Sequence, residues 1–328
     1  MVMEMSGDRL PQFQQHPNGP ESPGSTASQD ASYKIREEPL GTARPIRIVV
    51  IGAGASGLNM IRALRLGLTN YELVVYEKNA DVGGTWFENR YPGCRCDVPS
   101  HNYQFSWRPN KEWSNFFSPA PEIREYLCKL RDEEGMRDLI KTSHRVSSAT
   151  WNEEMGVWSL TVRNEEKDED FDDYATFLLD GSGILNHWTW PSVPGLQDFQ
   201  GTLIHTARWP EGFDHRGKTV AVIGNGSTGV QLVPEIQPGV EKLYHIVRTP
   251  TWVIPPRRQT WLMMGKAKEI LSEIKVDEKE NFSEETIARF ESDPAFYRKF
   301  VRDTEREVNN AFPVVSGNDT VQGLPNTG

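Results

Sequence analysis

Cysteine, long apolar runs and positive charge are all scarce in this chain of 328 residues. Three cysteines are too few for a disulfide scaffold of this length. No apolar run approaches the roughly 18 residues that a membrane span requires. Acidic residues outnumber basic ones by 46 to 36, and the net charge of −10 disfavours binding to a nucleic-acid backbone. The first residues lack the apolar core of a signal peptide, so we expect a cytoplasmic protein.

Metal and disulfide chemistry are also disfavoured by spacing. The seven histidines are scattered along the chain and form no ligand set with the neighbouring Cys94 and Cys96. Disulfide reductases use a C-x-x-C pair, whereas these two cysteines have one residue between them. We therefore expect neither a metal site nor a redox disulfide.

The first glycine-rich motif, GAGASG at 52–57, follows an apolar run of strand length and precedes a helical segment. In this pattern Gly52 makes the tight turn, Gly54 lets the backbone approach a pyrophosphate, and Gly57 lets the helix pack on the strand. Glu77 lies 20 residues after Gly57, at the end of a second apolar run. A carboxylate there accepts hydrogen bonds from a ribose hydroxyl, which predicts a cofactor with a free 2′-hydroxyl such as FAD.

A second motif, GNGSTG at 224–229, repeats the pattern between two further apolar runs. Its glycines Gly224, Gly226 and Gly229 take the same three roles. The residue 19 positions after the last glycine is Arg248. A guanidinium can hold a 2′-phosphate, which a carboxylate would repel, so this motif predicts an NADPH site. Two nucleotide sites on one chain predict hydride transfer between their cofactors.

The remaining sequence suggests how the chain is organised. An acidic run at 164–173 carries seven acids and one lysine, and we predict one solvated turn there. Asp293-Pro294 predicts the start of a helix. We predict an α/β fold with two Rossmann-like dinucleotide-binding domains and a helical C-terminal segment. The predicted parts are a disordered tail (1–44), an FAD-binding domain (45–198), an NADP-binding domain (199–258), a helical segment (259–312) and an irregular C-terminus (313–328).

Two further stretches resemble one enzyme family, the Baeyer–Villiger monooxygenases. The sequence GGTWFENRYPG at 83–93, followed by Arg95-Cys96-Asp97, is similar to the flavin-contacting segment of that family. The sequence FQGTLIHTARWP at 199–210 matches the family fingerprint F-x-G-x-x-x-H-x-x-x-W-P. The resemblance covers about 46–258 strongly and 259–312 weakly, and the tail lies outside it.

The resemblance implies a reaction and a set of residues. NADPH reduces FAD, the flavin reacts with O2, and a C4a-peroxyflavin inserts one oxygen beside a ketone carbonyl to give an ester or lactone. The implied FAD contacts are Ser56, Glu77, Thr85, Trp86, Asp97, Tyr103 and Val146, and the flavin-contacting segment adds Phe87, Glu88 and Cys96. The implied NADP contacts are Arg95, Gly226, Ser227, Thr228, Gly229, Val230, Gln231, Arg248 and Thr249.

Three residues are the candidates for catalysis. Asp97 lies near the reactive edge of the flavin in the family, where a carboxylate can orient a cation that stabilises developing negative charge. The alternative role for Asp97 is that of a loop cap. His205 and Trp209 belong to the fingerprint between the two predicted domains. They act either directly on the chemistry or as a packed hinge that aligns two cofactors.

Two alternatives to the ketone-oxygenating enzyme stay open. An N- or S-hydroxylating flavin monooxygenase shares the fold, although Trp209-Pro210 and Asp97 favour the Baeyer–Villiger class. The family also continues beyond this length, with a Lys-Arg pair and a closing Ala-Thr-Gly segment that are absent after Arg248. We therefore expect a sequence that corresponds to the N-terminal part of such an enzyme, and the second alternative is a truncated, inactive nucleotide-binding fragment.

Overall fold

The structure, a computed structural model, describes Pro39, residues 46–250 and residues 268–316. The predicted disordered tail, apart from Pro39, lies outside the described residues, as do the end of the predicted NADP-binding domain and the start of the helical segment. The described part divides into two compact units. The first takes the described residues up to Gly84 and those from Arg131 to His187, and the second takes Thr85–Leu130 and the described residues from Trp188 onward. These units do not follow the predicted domain bounds, which remain predictions.

The first unit is built on a parallel sheet. The elements of this part are β1 (Ile46–Ile51), α1 (Ala55–Gly67), β2 (Tyr71–Tyr76), β3 (Ile140–Lys141) and β7 (Phe177–Asp180). The four strands lie in the order β3-β2-β1-β7, and each is parallel to its neighbours. Apolar residues of β1 and β2 are buried, and α1 buries Leu58 and Ile61. The predicted strand, glycine turn, helix and strand of the first motif are confirmed.

An antiparallel sheet completes the first unit and corrects one prediction. Its strands are β4 (His144–Asn152), β5 (Val157–Asn164) and β6 (Glu169–Ala175), in that order. The acidic run at 164–173 was expected to be a single turn, but its second half forms β6 and pairs with β5. Backbone pairing within a hairpin outweighs the low strand propensity of aspartate, because cross-strand cations such as Arg163 lie beside the acids.

The second unit contains the second strand–helix–strand motif. Strands β8 (Thr219–Ile223) and β9 (Lys242–Ile246) pair in parallel on either side of α4 (Ser227–Ile236) in sequence. Leu232 and Ile236 of α4 are buried in one cluster with Val222 of β8. The glycine-rich turn therefore lies at the carboxyl end of β8, which is where ligands bind in parallel α/β sheets.

Five further α-helices of the described residues lie wholly or mainly in the second unit. They are α2 (Thr85–Glu88), α3 (Ala120–Glu133), α5 (Lys268–Ser272), α6 (Glu284–Ser292) and α7 (Pro294–Ser316). The predicted helix start at Asp293-Pro294 is confirmed, and Phe296 and Phe300 of α7 are buried. Helix α7 continues to Ser316, so the irregular C-terminus predicted from 313 is wrong for 313–316, and 317–328 lie outside the described residues. No helix in the described part of the chain is long and apolar enough to cross a membrane.

Candidate functional site

The first glycine turn has the geometry that its sequence predicts. Gly52 has a φ of +95°, a conformation that side chains rarely adopt. A Cβ at Gly57 would lie 2.0 Å from the carbonyl oxygen of Gly52, so only glycine allows helix α1 to start this close to the turn. Gly54 is the N-cap of α1 and has an extended backbone (φ −76°, ψ −165°). We call this turn, with the first turn of α1, the first cradle.

The first cradle fits an anionic ligand. Helix α1 has no acidic residue in its first turn and no side-chain cap, and Ser56 in that turn is exposed. The N–H groups at the start of a helix have no partners within the helix and carry partial positive charge. A pyrophosphate supplies acceptors and negative charge of the kind that this helix end lacks.

Glu77 closes the first cradle from the end of β2. Its side chain is 3% exposed. One carboxylate oxygen accepts the N–H of Ala53 at 2.7 Å, and the other accepts the N–H of Asn79 at 2.9 Å. The acid is therefore bonded to the glycine turn itself. A carboxylate has about four acceptor positions, and these two backbone bonds place one on each oxygen.

The second cradle, which is the turn 224–226 with the first turn of α4, repeats the first in backbone detail. Gly224 has a φ of +112°, and a Cβ at Gly229 would lie 2.5 Å from the carbonyl oxygen of Gly224. Gly226 is the N-cap of α4 with φ −78° and ψ −173°. Helix α4 likewise has no acid in its first turn and no side-chain cap. The cradle residues Ser227, Thr228 and Val230 lie in the first turns of α4, and Val230 is 48% exposed.

The residues beyond β9 differ from their counterparts in the first cradle. Arg248 and Thr249 follow the strand in a bend, and both are exposed. Where the first cradle has a buried anion, the second has a solvent-exposed cation. His245 on β9 bonds the turn through its Nε2 atom, which lies 2.9 Å from the carbonyl oxygen of Gly224.

The predicted flavin-contacting segment lies mainly in the second unit. Trp86 donates its indole N–H to the hydroxyl of Tyr103 at 3.2 Å, and the two rings pack edge to face at 5.4 Å. Burial raises the pKa of Tyr103. The guanidinium groups of Arg90 and Arg124 lie 4.4 and 4.7 Å from the ring centre of Phe87. Thr85 and Glu88 begin and end the same short helix α2.

The loop after α2 holds the remaining predicted residues of this segment. Cys96 is 4% exposed and donates its backbone N–H to Ser118 at 3.0 Å. Asp97 and Arg95 are exposed on either side of it. The alternation of buried and exposed positions anchors the loop through Cys96 and presents two opposite charges to solvent.

The fingerprint residues His205 and Trp209 have separate surroundings. The His205 ring stacks on Trp188, with centroids 4.3 Å apart and planes 19° apart. Its Nδ1 atom accepts the N–H of Ala207 at 3.2 Å, which assigns the neutral imidazole with its proton on Nε2. Burial lowers the pKa of His205. Trp209 packs edge to face on Phe213 at 5.6 Å and against the cluster under β8.

The structure brings together some of the predicted residues and separates others. Gly52, Gly54, Ser56, Gly57 and Glu77 all lie in the first unit, where Glu77 is bonded to the glycine turn through Ala53. Val146, another predicted FAD contact of that unit, lies on β4 and packs on the core cluster of Val49 and Leu160. The predicted contacts Thr85, Trp86, Asp97 and Tyr103 belong to the second unit.

Two partners of the predicted site residues were not predicted from the sequence. Tyr91 bonds the predicted NADP contact Gln231, and Trp188 supports His205. Neither residue belongs to a glycine motif. Tyr91 does lie in the family-like segment, which is the one signal that pointed to it.

Two strand–glycine turn–helix units with opposite closing charges are the pattern of the dinucleotide-binding class of α/β proteins. The chain matches the flavin-binding monooxygenase-like family over residues 45–271 and belongs to that family. It is 35% identical over 312 residues to the FAD-binding monooxygenase tazF of Aspergillus terreus, covering 92% of this chain and 54% of that protein. It is 41% identical over 212 residues to a Baeyer–Villiger monooxygenase of Streptomyces coelicolor, covering 64% of this chain and 39% of that protein.

A solved structure is similar as well. The complex of OTEMO with FAD and NADP matches with a TM-score of 0.59 and 32% identity, over 69% of this chain and 44% of that one. The chain thus spans about half the length of the relatives that it matches.

Proposed function

We propose that this chain binds FAD in the first cradle and NADPH in the second, and that it serves a Baeyer–Villiger oxygenation of a ketone. The observation that carries the proposal is the pair of cradles with matching backbones and opposite closing charges, Glu77 and Arg248. The family match and the similarity to a structure in complex with FAD and NADP support the same cofactors.

In the first cradle, the start of α1 would hold the FAD pyrophosphate through backbone N–H groups. Glu77 would accept a ribose hydroxyl while it keeps the turn in place through Ala53. Thr85, Trp86, Asp97 and Tyr103 would contact the flavin end of the cofactor, as the resemblance implies. The bond between Trp86 and Tyr103 supports this role, because it holds two aromatic side chains in one arrangement.

In the second cradle, the start of α4 would hold the NADPH pyrophosphate. Arg248 and Thr249 would bind the 2′-phosphate, for which a planar guanidinium provides paired donors. The exposure of Arg248 supports this role, because its charge is not already neutralised in the interior. Arg95, also exposed, would contact the same nucleotide.

The chemistry requires cofactors that the protein positions. When bound, the flavin would supply the redox chemistry of a net reaction in which ketone, O2, NADPH and a proton give ester or lactone, water and NADP+. Asp97 would orient a cation near the reacting atoms. His205 and Trp209 would act as a packed hinge, which the stacking of His205 on Trp188 supports.

The test combines binding with product analysis. The purified chain is titrated with FAD, NADPH and NADH, and then incubated with NADPH, ¹⁸O2 and panels of ketones, amines and sulfides. Ester or lactone carrying one labelled oxygen supports the proposal. N-oxide or sulfoxide without ester supports the N- or S-hydroxylating alternative. Cofactor binding without any product supports the inactive-fragment alternative, and a failure to bind FAD or NADPH contradicts the cofactor assignment.

A further inference from the structure

The side-chain amide of Gln231 is bonded to the loop at 91–97, which we call the Arg95 loop. Gln231 lies on α4, the helix of the second cradle. Its Oε1 atom accepts the hydroxyl of Tyr91 at 2.9 Å and the backbone N–H of Arg95 at 3.4 Å. Its Nε2 atom donates to the backbone carbonyl of Arg95 at 3.1 Å. The Gln231 amide is thus hydrogen-bonded to both the backbone N–H and the backbone carbonyl of Arg95.

The orientation of this amide follows from its partners. The hydroxyl of Tyr91 and the backbone N–H of Arg95 face one end of the amide, and the backbone carbonyl of Arg95 faces the other. All three groups are satisfied only when the amide oxygen faces the two donors and the amide nitrogen faces the carbonyl. Burial raises the pKa of Tyr91 to about 12, so its hydroxyl keeps the proton that it donates to Gln231. Ionisation of Tyr91 therefore does not remove this hydrogen bond near neutral pH.

Backbone packing brings the helix and the loop this close together. Gly93 has a φ of +80°, and a Cβ there would lie 2.7 Å from the carbonyl oxygen of Gln231 and 2.4 Å from Glu235. Next to it, Tyr91 and Cys94 are buried with Leu232 of α4 in the same cluster. The loop rests directly on the second turn of the helix, with Gln231 at the edge of the contact.

We propose that Gln231 is a positioning residue that ties the Arg95 loop to the nucleotide helix, rather than a direct ligand of the nucleotide. The amide bonds only the backbone of Arg95, so the Arg95 side chain stays exposed. The same bonds restrict rotation of the backbone at this residue. Asp97, two residues further along, depends on that same anchored backbone. A nucleotide bound at the start of α4 would thereby order the backbone at Arg95 and Asp97. The inference rests on the proposed function only for the identity of that nucleotide.

The test measures hydrogen exchange of the backbone amides at 94–98. Gln231→Leu keeps the side-chain volume but removes all three hydrogen bonds. We expect exchange of the Arg95 amide to rise at least tenfold, with the melting temperature nearly unchanged, since Gln231 is only partly buried. The matched control is Gln237→Leu, an exposed glutamine at the end of the same helix, which should leave this exchange unchanged. Unchanged exchange in Gln231→Leu would overturn the proposal.

A second variant and a ligand arm complete the experiment. Tyr91→Phe removes one hydroxyl from the network and should give a smaller rise at Arg95, and it decides the matter if Gln231→Leu does not fold. Added NADPH should slow exchange at 95–97 in the native chain and not in Gln231→Leu; slowing of equal size in both contradicts the positioning role. If NADPH fails to bind the native chain, the proposed function is contradicted, and the exchange measured without nucleotide still decides the role of Gln231.

Discussion

Glu77 accepts the backbone N–H of Ala53 at 2.7 Å, so the acid at the end of β2 is bonded into the middle of the first glycine turn. The acid therefore has a structural partner before any ribose is present. This explains why a carboxylate can be buried at 3% exposure next to a helix N-terminus, since it is hydrogen-bonded at both oxygens and faces partial positive charge.

Replacing Glu77 with glutamine should weaken both stability and FAD binding. The amide can accept only one of the two backbone N–H groups, and its own NH2 would face the other. Loss of a buried hydrogen bond costs about 1–3 kcal/mol. We expect a destabilisation of that size in chemical denaturation and a fall in FAD affinity by fluorescence titration. Glu125→Gln, at an exposed position of α3, is the control and should change neither quantity. Equal FAD affinity in Glu77→Gln and native protein would refute the ribose role.

The two glycines at the ends of α1 should respond in opposite ways to alanine. At Gly57 a Cβ would overlap the Gly52 carbonyl at 2.0 Å, so we expect Gly57→Ala to lose about 3 kcal/mol or more, or not to fold. At Gly67 nothing lies within 4 Å of the added Cβ, and alanine has the higher helix propensity. We expect Gly67→Ala to be neutral or up to about 1 kcal/mol more stable. Urea denaturation of both variants checks this pair, and equal destabilisation of the two would contradict the close-packing argument.

Removing the cation after β9 should change nucleotide preference. Hydrogen bonds to charged groups contribute about 1.5–3 kcal/mol, so Arg248→Ala should weaken NADPH binding about tenfold or more. NADH lacks the 2′-phosphate, and its affinity should stay the same. Calorimetric titration with both nucleotides measures the ratio. Lys242→Ala, at an exposed cation of the same strand pair, should preserve the native preference. A parallel loss for NADPH and NADH in Arg248→Ala would show that the arginine does not read the phosphate.

Stability should fall in mild acid because of His101. This side chain is 2% exposed and is surrounded by the rings of Phe282, Phe290, Tyr297 and Phe300. Burial lowers the pKa of His101 from 6.5 to about 3. Below pH 6.5 His101 is therefore protonated in the unfolded chain but stays neutral in the folded chain. The free energy of unfolding falls progressively as the pH drops toward 3.

The size of the effect can be checked with one substitution. Between pH 7.5 and pH 5 the loss due to His101 is about 2 kcal/mol. His101→Phe keeps an aromatic ring in the cage, although it loses the 3.2 Å bond to Tyr297, and it should remove this part of the pH dependence. Denaturation curves at several pH values provide the measurement, with exposed His187→Gln as the control. The same slope in native protein and His101→Phe would rule out His101 as its source.

The sequence predicted correctly those local features that depend only on residues adjacent in the chain. The apolar runs flanking GAGASG and GNGSTG became parallel strands, because a strand, a glycine turn and a helix N-terminus are encoded within about 30 adjacent residues. The prediction of a single turn at 164–173 was partly wrong. The charge of this run suggested a turn, but its second half pairs with β5 as a strand. Strand pairing depends on residues far away in the chain or across a hairpin, which composition does not reveal.

By itself the sequence determined the two cradles and the signs of the charges that close them, because glycine spacing and strand length set the backbone and the side chain at each strand end follows directly. Only the tertiary structure decided what these side chains bond. It gave Glu77 the N–H of Ala53, left Arg248 exposed, and turned Gln231 toward the Arg95 loop. The physical reason is that a buried hydrogen-bonding group must find a partner wherever packing brings one, and packing is set by contacts between residues distant in sequence.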